Sequence, residues 1–317
     1  MKKVDALIIG SSAAGFAAAI TARRHYPDAT VAVIRQEKKT PVPCGIPYIF
    51  GTLGSPDKNL MPDPALAKNN VDLIVDRATS IDNDARTVAT ASGENIGYKK
   101  LILATGSKPL VPPIPGVDME NVFPIEKDVD QLAHLLNVLN GAQDVVVIGG
   151  GFIGLEMADE CSKLDSKNIS VVEMLPHCLF TVFDADLCIR AEEQVAKKGV
   201  QVLAARRANA IKGNGRVEYV ELDDGQRLKA DAVILGIGVR PNVDLAREAG
   251  LALGPTGGVV VDRHMVTSDP NIFAAGDCAE KVCFFTGKPS RAWLASVAAA
   301  EARIAAANLF EMRRASK

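Results

Sequence analysis

The residues with the clearest chemical potential lie in the stretch TPVPCGIPYIFG, which occupies positions 40–51. Cys44 is followed by a glycine and by residues able to begin a helix, since Pro47 is tolerated in a first helical turn. A thiol at a helix N-terminus faces unpaired N–H groups and the positive end of the helix dipole, which favour the thiolate. Cys44 is therefore a candidate redox thiol, and the alternative is a buried cysteine that packs as a small hydrophobic residue.

A glycine-rich turn lies upstream of this cysteine, between an apolar run at residues 4–9 and a helical pattern that ends near Arg24. The turn reads Gly10-Ser-Ser-Ala-Ala-Gly15, where Gly10 allows a tight turn and Gly15 lets the helix pack closely on the strand. Ser12 replaces the usual second glycine, yet it is small enough for a pyrophosphate to approach the backbone. The pattern predicts the phosphate-binding start of a Rossmann unit, with an ordinary strand–helix turn as the alternative.

The end of the next expected strand departs from this pattern. In dinucleotide-binding units an acidic residue closes the second strand and accepts hydrogen bonds from the ribose hydroxyls. Here the strand at residues 31–34 is followed by Arg35, with Glu37 two positions later. Two alternatives stay open: Glu37 takes over this role, or the ribose is held in a different way.

A second and more complete copy of the pattern begins at residue 144. A strand at residues 144–148 leads into Gly149-Gly-Gly151-Phe-Ile-Gly154-Leu-Glu156, and a further strand at residues 170–172 ends in Glu173. Strand, glycines, helix and acid follow one another at the spacing that dinucleotide binding requires. Glu173 favours a free ribose 2′-hydroxyl and hence NADH over NADPH, although His177 nearby keeps the choice open.

The remaining chain repeats the same design. Apolar strands that end in small residues occur at 101–106 and 231–238, and a hairpin pattern at 217–228 precedes the second of them. Prolines between 109 and 115 mark a linker, and a last strand enters Gly276-Asp277. We therefore predict an α/β fold with two Rossmann-like domains. Each domain would have three layers, two of β-sheet and one of helices (ββα), and the second domain would be inserted in the first. Residues 1–115 and 245–317 would form the first dinucleotide-binding domain, and residues 116–244 would form the second.

Composition narrows the function classes. A chain of 317 residues is long enough for about two domains, and its net charge of −2 does not indicate binding to nucleic acid or to an anionic membrane. Six scattered cysteines are typical of a reducing compartment rather than of a disulfide scaffold. The alanine-rich stretch 292–310 contains Glu301 and Arg303, so it reads as a helix and not as a membrane span. We therefore expect a cytoplasmic protein, and no spacing of the four histidines indicates a metal site.

The glycine turns, together with Leu103-Ala-Thr-Gly106, Gly236-Ile-Gly238 and Ile272-Phe-Ala-Ala-Gly-Asp277, resemble the FAD- and NAD(P)H-dependent pyridine nucleotide-disulfide oxidoreductases. The resemblance covers essentially the whole chain and implies FAD and NADH or NADPH as cofactors. By resemblance the first turn and Gly276-Asp277 bind FAD, while the second turn and Glu173 bind the nicotinamide nucleotide, with Glu156 near its ring. In full, the cofactor-binding positions that it implies are Gly10, Ser11, Ser12, Ala13, Ala14, Gly15, Arg35, Glu37, Thr40, Cys44, Ala78, Ala104, Thr105, Gly106, Gly149, Gly151, Ile153, Gly154, Glu156, Glu173, Gly238, Gly276, Asp277, Leu294 and Ala295.

Within this family, Cys44-Gly-Ile-Pro-Tyr48 looks like the single-cysteine branch of coenzyme A-disulfide reductases, persulfide reductases and NADH oxidases or peroxidases. Other members carry a second cysteine five positions on, where this chain has Ile49. Oxidases and peroxidases usually have a histidine at the position of Ala13, so its absence favours a small disulfide or persulfide substrate. Tyr48 is a candidate proton donor, with packing as the favoured alternative.

Other functions stay open at this stage. An NADH oxidase, or a reductase of a small electron carrier such as rubredoxin or ferredoxin, would need the same two nucleotide sites, but the carrier reductase would not need Cys44. A non-catalytic flavoprotein is a third possibility. The branch normally continues into a dimerisation domain and forms homodimers, whereas this chain stops at Lys317, so we expect that domain to be absent and dimerisation to be affected.

Overall fold

The chain forms two compact units in the computed structural model, which describes residues 1–315. The first unit comprises Met1–Pro43, Met61–Lys108 and the chain from Arg240 onward, and the second comprises Cys44–Leu60 and Pro109–Val239.

The described strands, in chain order, are β1 (Lys2–Ile9), β2 (Val31–Arg35), β3 (Val71–Val75), β4 (Ala78–Asp82), β5 (Thr87–Thr90), β6 (Asn95–Leu103), β7 (Ser107–Pro109), β8 (Val122–Pro124), β9 (Asp144–Ile148), β10 (Asn168–Val172), β11 (Val200–Leu203), β12 (Ala208–Asn214), β13 (Arg216–Leu222), β14 (Arg227–Lys229), β15 (Ala232–Leu235), β16 (Val239–Pro241), β17 (Ile272–Ala274), β18 (Lys281–Val282) and β19 (Pro289–Ser290). The α-helices are α1 (Ala13–His25), α2 (Pro64–Lys68), α3 (Val129–Gly141), α4 (Phe152–Cys161), α5 (Ala185–Ala196), α6 (Asp244–Glu248) and α7 (Ala295–Ala307). None of these helices, within residues 1–315, combines the length and apolar character that crossing a membrane needs.

The first unit is built on a mainly parallel sheet. Its strands run in the order β3-β2-β1-β6-β5-β4, β17 also pairs with β6, and only the β4–β5–β6 pairings are antiparallel. Alanines on α1 and α7, such as Ala18, Ala22, Ala302 and Ala305, are buried in one hydrophobic cluster, because side chains this small let the two helices approach closely. Because β1, β2, β6 and β17 run parallel, their carboxyl ends lie at the same edge of the sheet, which is where α/β sheets bind ligands.

The second unit repeats this arrangement. Five parallel strands run in the order β11-β10-β9-β15-β8, and β12, β13 and β14 form a separate antiparallel sheet. The strand predicted at residues 144–148 is β9, and the predicted hairpin is formed by β13 and β14. The predicted α/β class with Rossmann-like parallel sheets is confirmed.

The sequence-based boundaries include the segment Cys44–Leu60 in the first domain. In the structure this segment belongs to the second compact unit. Ile46, Ile49 and Phe50 are buried in the hydrophobic cluster of that unit, beside residues of α3 and α4. Thr52 Oγ1 also donates to the buried Glu160 carboxylate at 2.8 Å. The binding roles given to residues 1–115 and 245–317 and to 116–244 stay proposals.

The prediction that a regular helix begins after Cys44 is wrong, because two short turns of other kinds stand there. Cys44 lies in a three-residue 3-10 turn, Pro43–Gly45, and Tyr48 then caps a five-residue π-helical turn, Ile49–Leu53. The N–H of Gly54 bonds to the carbonyl of Ile49 and so closes this turn, and the φ of +68° at Gly54 ends it.

Candidate functional site

The glycine turn of the first unit brings β1, α1 and β6 into direct contact. Gly10 has a φ of +106°, and a Cβ there would overlap the carbonyl oxygen of Ala104 at the end of β6. A Cβ at Gly15 would overlap the carbonyl oxygen of Gly10. The helix α1 begins after Ser12, whose hydroxyl is buried and has no hydrogen-bond partner among residues 1–315. A free hydroxyl beside unpaired helix N–H groups fits a phosphate oxygen of a dinucleotide.

The glycine turn of the second unit has the same construction. Gly149 also has a φ of +106°, and its Cβ would clash with the carbonyl of Gly236, while a Cβ at Gly154 would overlap the carbonyl of Gly149. Gly151 caps α4, and a Cβ there would meet no atom within 4 Å from residues 1–315, apart from its own chain neighbours. The space in front of this helix N-terminus therefore fits a second diphosphate.

The carboxylate of Glu173 is held in a fixed orientation at the end of β10. Its Oε2 accepts from the N–H of Gly150 at 2.6 Å and its Oε1 from the N–H of Leu175 at 2.7 Å, and the residue is 8% exposed. Each oxygen keeps a lone pair for a ribose hydroxyl. His177 bonds through Nδ1 to Glu192 Oε2 at 3.1 Å.

The end of β2, at the matching place in the first unit, carries a buried cation. The guanidinium of Arg35 binds both carboxylate oxygens of Asp63 at 2.6 Å, and its side chain is 2% exposed. The hydroxyls of Ser11 and Thr40 are also buried here, 3.1 Å apart. Glu37, the alternative acid, lies partly buried in the loop after β2.

The turn at Gly276 and Asp277, directly after β17, is anchored by an ion pair. Glu301 Oε2 accepts from the N–H of Gly276 at 3.0 Å, and Lys281 Nζ donates to the carbonyl of Gly276 at 2.6 Å and to Glu301 Oε2 at 2.6 Å. Burial raises the pKa of Glu301, and Lys281 opposes this shift. Asp277 Oδ2 accepts from the hydroxyl of Ser107 at 2.7 Å.

The remaining predicted site residues lie at element ends. Thr105 lies between Ala104 and Gly106, and its hydroxyl donates to the carbonyl of Asn242 at 2.6 Å. Gly106 has a φ of +70°. Burial raises the pKa of Glu156 on α4. The others are Ala13 and Ala14 in the first turn of α1, Ala78 at the start of β4, Ile153 in the first turn of α4, Gly238 with a φ of +107° before β16, Leu294 as the exposed cap of α7, and Ala295 as its first residue. Asp63, Lys281 and Glu301 were not predicted, since none of them belongs to a local motif.

The six thiols differ strongly in their surroundings. Cys44 is exposed and Cys283 is partly exposed, whereas the other four are buried. Burial raises the pKa of Cys161 and of Cys178 to about 12. Hydrogen bonds from the hydroxyl and N–H of Thr286 lower the pKa of Cys283. Two of the six cysteines, Cys44 and Cys283, are therefore open to reagents.

Alkylation of the native protein is expected to modify Cys44 and Cys283 and to spare the four buried cysteines. The reason is that both access and the thiolate are needed for attack. Peptide mass spectrometry after a short iodoacetamide pulse, followed by a second reagent in denaturant, would show this. Comparable first-pulse labelling of Cys161 or Cys178 would contradict the burial described above.

Comparisons with known proteins agree with this geometry. Residues 4–302 match the family model described as pyridine nucleotide-disulphide oxidoreductase. The chain is 36% identical to the NADH oxidase of Methanocaldococcus jannaschii over 317 residues, which cover 96% of this chain and 69% of that protein. It is 35% identical to the NAD(P)H coenzyme A polysulfide/persulfide reductase of Pyrococcus horikoshii over 300 residues, 93% of this chain and 66% of that protein.

A solved structure of a NAD-dependent persulfide reductase from A. fulgidus superimposes with a TM-score of 0.92 and 32% identity, over 98% of this chain and 60% of that one. The chain thus spans about two thirds of the length of the relatives it matches. The family uses FAD and NAD(P)H, and the two glycine turns fit the diphosphates of two dinucleotides. The chain belongs to the pyridine nucleotide-disulphide oxidoreductase family of NAD(P)H-dependent flavoproteins.

Proposed function

We propose that this chain is the nucleotide-binding and thiol-bearing part of an FAD-dependent NADH oxidoreductase that reduces a small disulfide or persulfide through Cys44. The observation that carries the proposal is an exposed thiol in the Cys-Gly-Ile-Pro-Tyr motif, with the fully buried Ile49 where a second cysteine would stand. A lone thiol cannot form a disulfide with a neighbour five positions on. Its chemistry must pass through a bond to a sulfur of the substrate.

The chemistry balances as a two-electron reduction. The Cys44 thiolate attacks a disulfide RSSR, forms the Cys44–S–SR bond and releases RS⁻. Two electrons and a proton then cleave that bond, which regenerates the thiolate and releases RSH; NADH supplies the electrons and becomes NAD⁺. When bound, FAD supplies the step between hydride transfer and electron-pair transfer to sulfur. A persulfide RSSH would yield RSH and hydrogen sulfide by the same balance.

The alternatives are an NADH oxidase and a reductase of a small electron carrier. The name of the Methanocaldococcus relative supports the first, while Ala13, where oxidases and peroxidases usually carry a histidine, counts against it. Tyr48 is half exposed and caps the turn after Cys44, and we keep it as a candidate proton donor.

The deciding experiment is an anaerobic NADH titration of the flavin-loaded protein, followed by a substrate panel. We expect a long-wavelength thiolate–flavin absorbance band that disappears when Cys44 is alkylated. Coenzyme A disulfide, coenzyme A persulfide, polysulfide, oxygen and rubredoxin would then be compared as acceptors. Faster turnover with rubredoxin or oxygen than with every sulfur compound would refute the proposal.

The preference for NADH can be tested separately at Glu173. Changing Glu173 to alanine removes charged hydrogen bonds that each contribute about 1.5–3 kcal/mol, so the kcat/KM for NADH should fall at least about tenfold. The NADPH to NADH ratio should rise, because the buried carboxylate no longer repels a 2′-phosphate. Glu193, exposed on α5 in the same unit, is a matched control whose change to alanine should alter neither value. An unchanged ratio in the Glu173 variant would show that the carboxylate does not select the nucleotide.

A further inference from the structure

Arg35 uses all of its hydrogen-bond donors within the protein. Its Nε donates to the carbonyl of Glu37 at 2.8 Å, and Nη2 donates to the carbonyl of Lys38 at 2.5 Å and to Asp63 Oδ2 at 2.6 Å. Its Nη1 donates to Asp63 Oδ1 at 2.6 Å and to the hydroxyl of Ser11 at 3.4 Å. A guanidinium has five N–H donors and no acceptor. Arg35 therefore has nothing left to offer a ribose hydroxyl, although it stands where the ribose-binding acid is expected.

The same contacts bring a different carboxylate to this place. Asp63 lies 28 residues farther along the chain, directly before α2, and its side chain is 35% exposed. Both of its oxygens bind Arg35, yet each keeps a second lone pair. The Nη1 atom that holds Asp63 also contacts Ser11 in the glycine turn. The carboxylate is thus fixed beside the phosphate-binding turn, with part of its surface open.

At the corresponding place in the second unit, the strand itself leads into the acid. There, Glu173 closes the second strand and accepts directly from the N–H of Gly150. Gly150 follows the first glycine of its turn, as Ser11 follows Gly10 in the first unit. In the first unit, therefore, Arg35 connects the corresponding turn position to a carboxylate, whereas Glu173 provides that carboxylate itself.

We propose that Asp63, held in place by Arg35, accepts the hydrogen bonds of the adenosine ribose hydroxyls of the dinucleotide bound in the first unit. Arg35 is then a positioning residue and Asp63 is the binding residue. The inference rests on the proposed binding of FAD by this unit. This proposal names Asp63 in place of Glu37 as the ribose-binding acid of the first unit, because the contacts to Arg35 hold the Asp63 carboxylate.

The test compares three ligands of the apo-protein, each titrated by flavin fluorescence: FAD, FMN, and FAD that lacks the adenosine 2′-hydroxyl. FMN has no adenosine, so it reports on the rest of the site. In Asp63→Asn we expect FAD affinity to fall about ten- to a hundredfold, from the strength of charged hydrogen bonds, while FMN affinity stays within twofold. The same variant should lose much less affinity for the 2′-deoxy analogue, because one partner of the bond is already missing.

Three further variants complete the design. Arg35→Met with Asp63→Asn removes the buried charge that the single change leaves unpaired, and it should fold while showing the same selective loss of FAD. Asp72→Asn, which removes an exposed carboxylate of the same unit bound to Lys2, should leave all three affinities unchanged. Glu37→Gln tests the alternative acid.

The outcomes separate the two claims. Equal losses of FAD and FMN in Asp63→Asn, no loss of FAD, or a selective loss in Glu37→Gln instead would each overturn the role of Asp63. Failure of the unchanged protein to bind FAD at all would overturn the proposed function, and the inference with it. Turnover of sulfur substrates does not enter this test.

Discussion

Replacing Cys44 by serine is expected to abolish turnover of disulfides and persulfides while the protein still binds flavin and accepts hydride from NADH. A serine hydroxyl cannot form the mixed disulfide, so the electrons have no path to the substrate sulfur. Loss of a covalent nucleophile costs on the order of a thousandfold or more in kcat. Stopped-flow bleaching of the flavin by NADH and steady-state thiol release would measure the two half-reactions separately.

Cys283 provides the matched control, because it is the other accessible thiol and its pKa is lowered by the hydrogen bonds of Thr286. Cys283→Ser should keep both half-reactions within about twofold, the scatter expected of a surface substitution. If the Cys44 variant retained full turnover and the Cys283 variant lost it, the redox thiol would be assigned to the hairpin of β18 and β19 instead. If both retained turnover, the protein would fit a carrier reductase better than a thiol enzyme.

The parts of this fold that could be predicted from sequence are those that depend on neighbouring residues. The strand at 144–148, the glycine turns and the acid at Glu173 follow from spacing alone, because the backbone of one βα unit imposes them. The π-helical turn after Cys44 could not be predicted in the same way. Its form depends on Gly51, where a Cβ would overlap the carbonyl oxygen of Glu160 on α4, more than a hundred positions away.

Long-range ion pairs explain the rest of what sequence reasoning missed. Arg35 looked like a departure from the Rossmann pattern, and only the fold shows that it holds Asp63. Glu301 stood out only as a charge in the alanine-rich helix, and no sequence pattern singled out Lys281. Such pairs have no local signature, because burial and the partner's position are set by packing of distant elements.

Changing Lys281 to methionine is expected to lower the free energy of unfolding by about 3–5 kcal/mol, the usual cost of leaving a buried charge without its partner. The Lys281 side chain is 5% exposed, and its ammonium donates to Gly276 and Ala279 carbonyls and to Glu301. Gly276 has a φ of +81° and lies where a Cβ would meet Ala14 of α1 at 2.9 Å. The pair therefore sets the position of the Gly276-Asp277 turn against the glycine turn, so FAD retention should fall as well. Urea unfolding and FAD titration would measure the two effects.

The double variant Lys281→Met with Glu301→Leu distinguishes a positioning role from a purely structural one. Replacing a buried ion pair by apolar side chains is often neutral or stabilising, so most of the lost stability should return. FAD affinity should stay low, because the N–H of Gly276 has lost the Glu301 carboxylate and its carbonyl keeps only the N–H of Ala279. Lys229→Met, which removes an exposed ammonium paired with Asp144, should change stability much less than Lys281→Met and leave FAD binding intact. A double variant that regains both stability and FAD affinity would show that the pair only fills the core, and the turn at Asp277 would then owe its position to the packing of β17 and α7 alone.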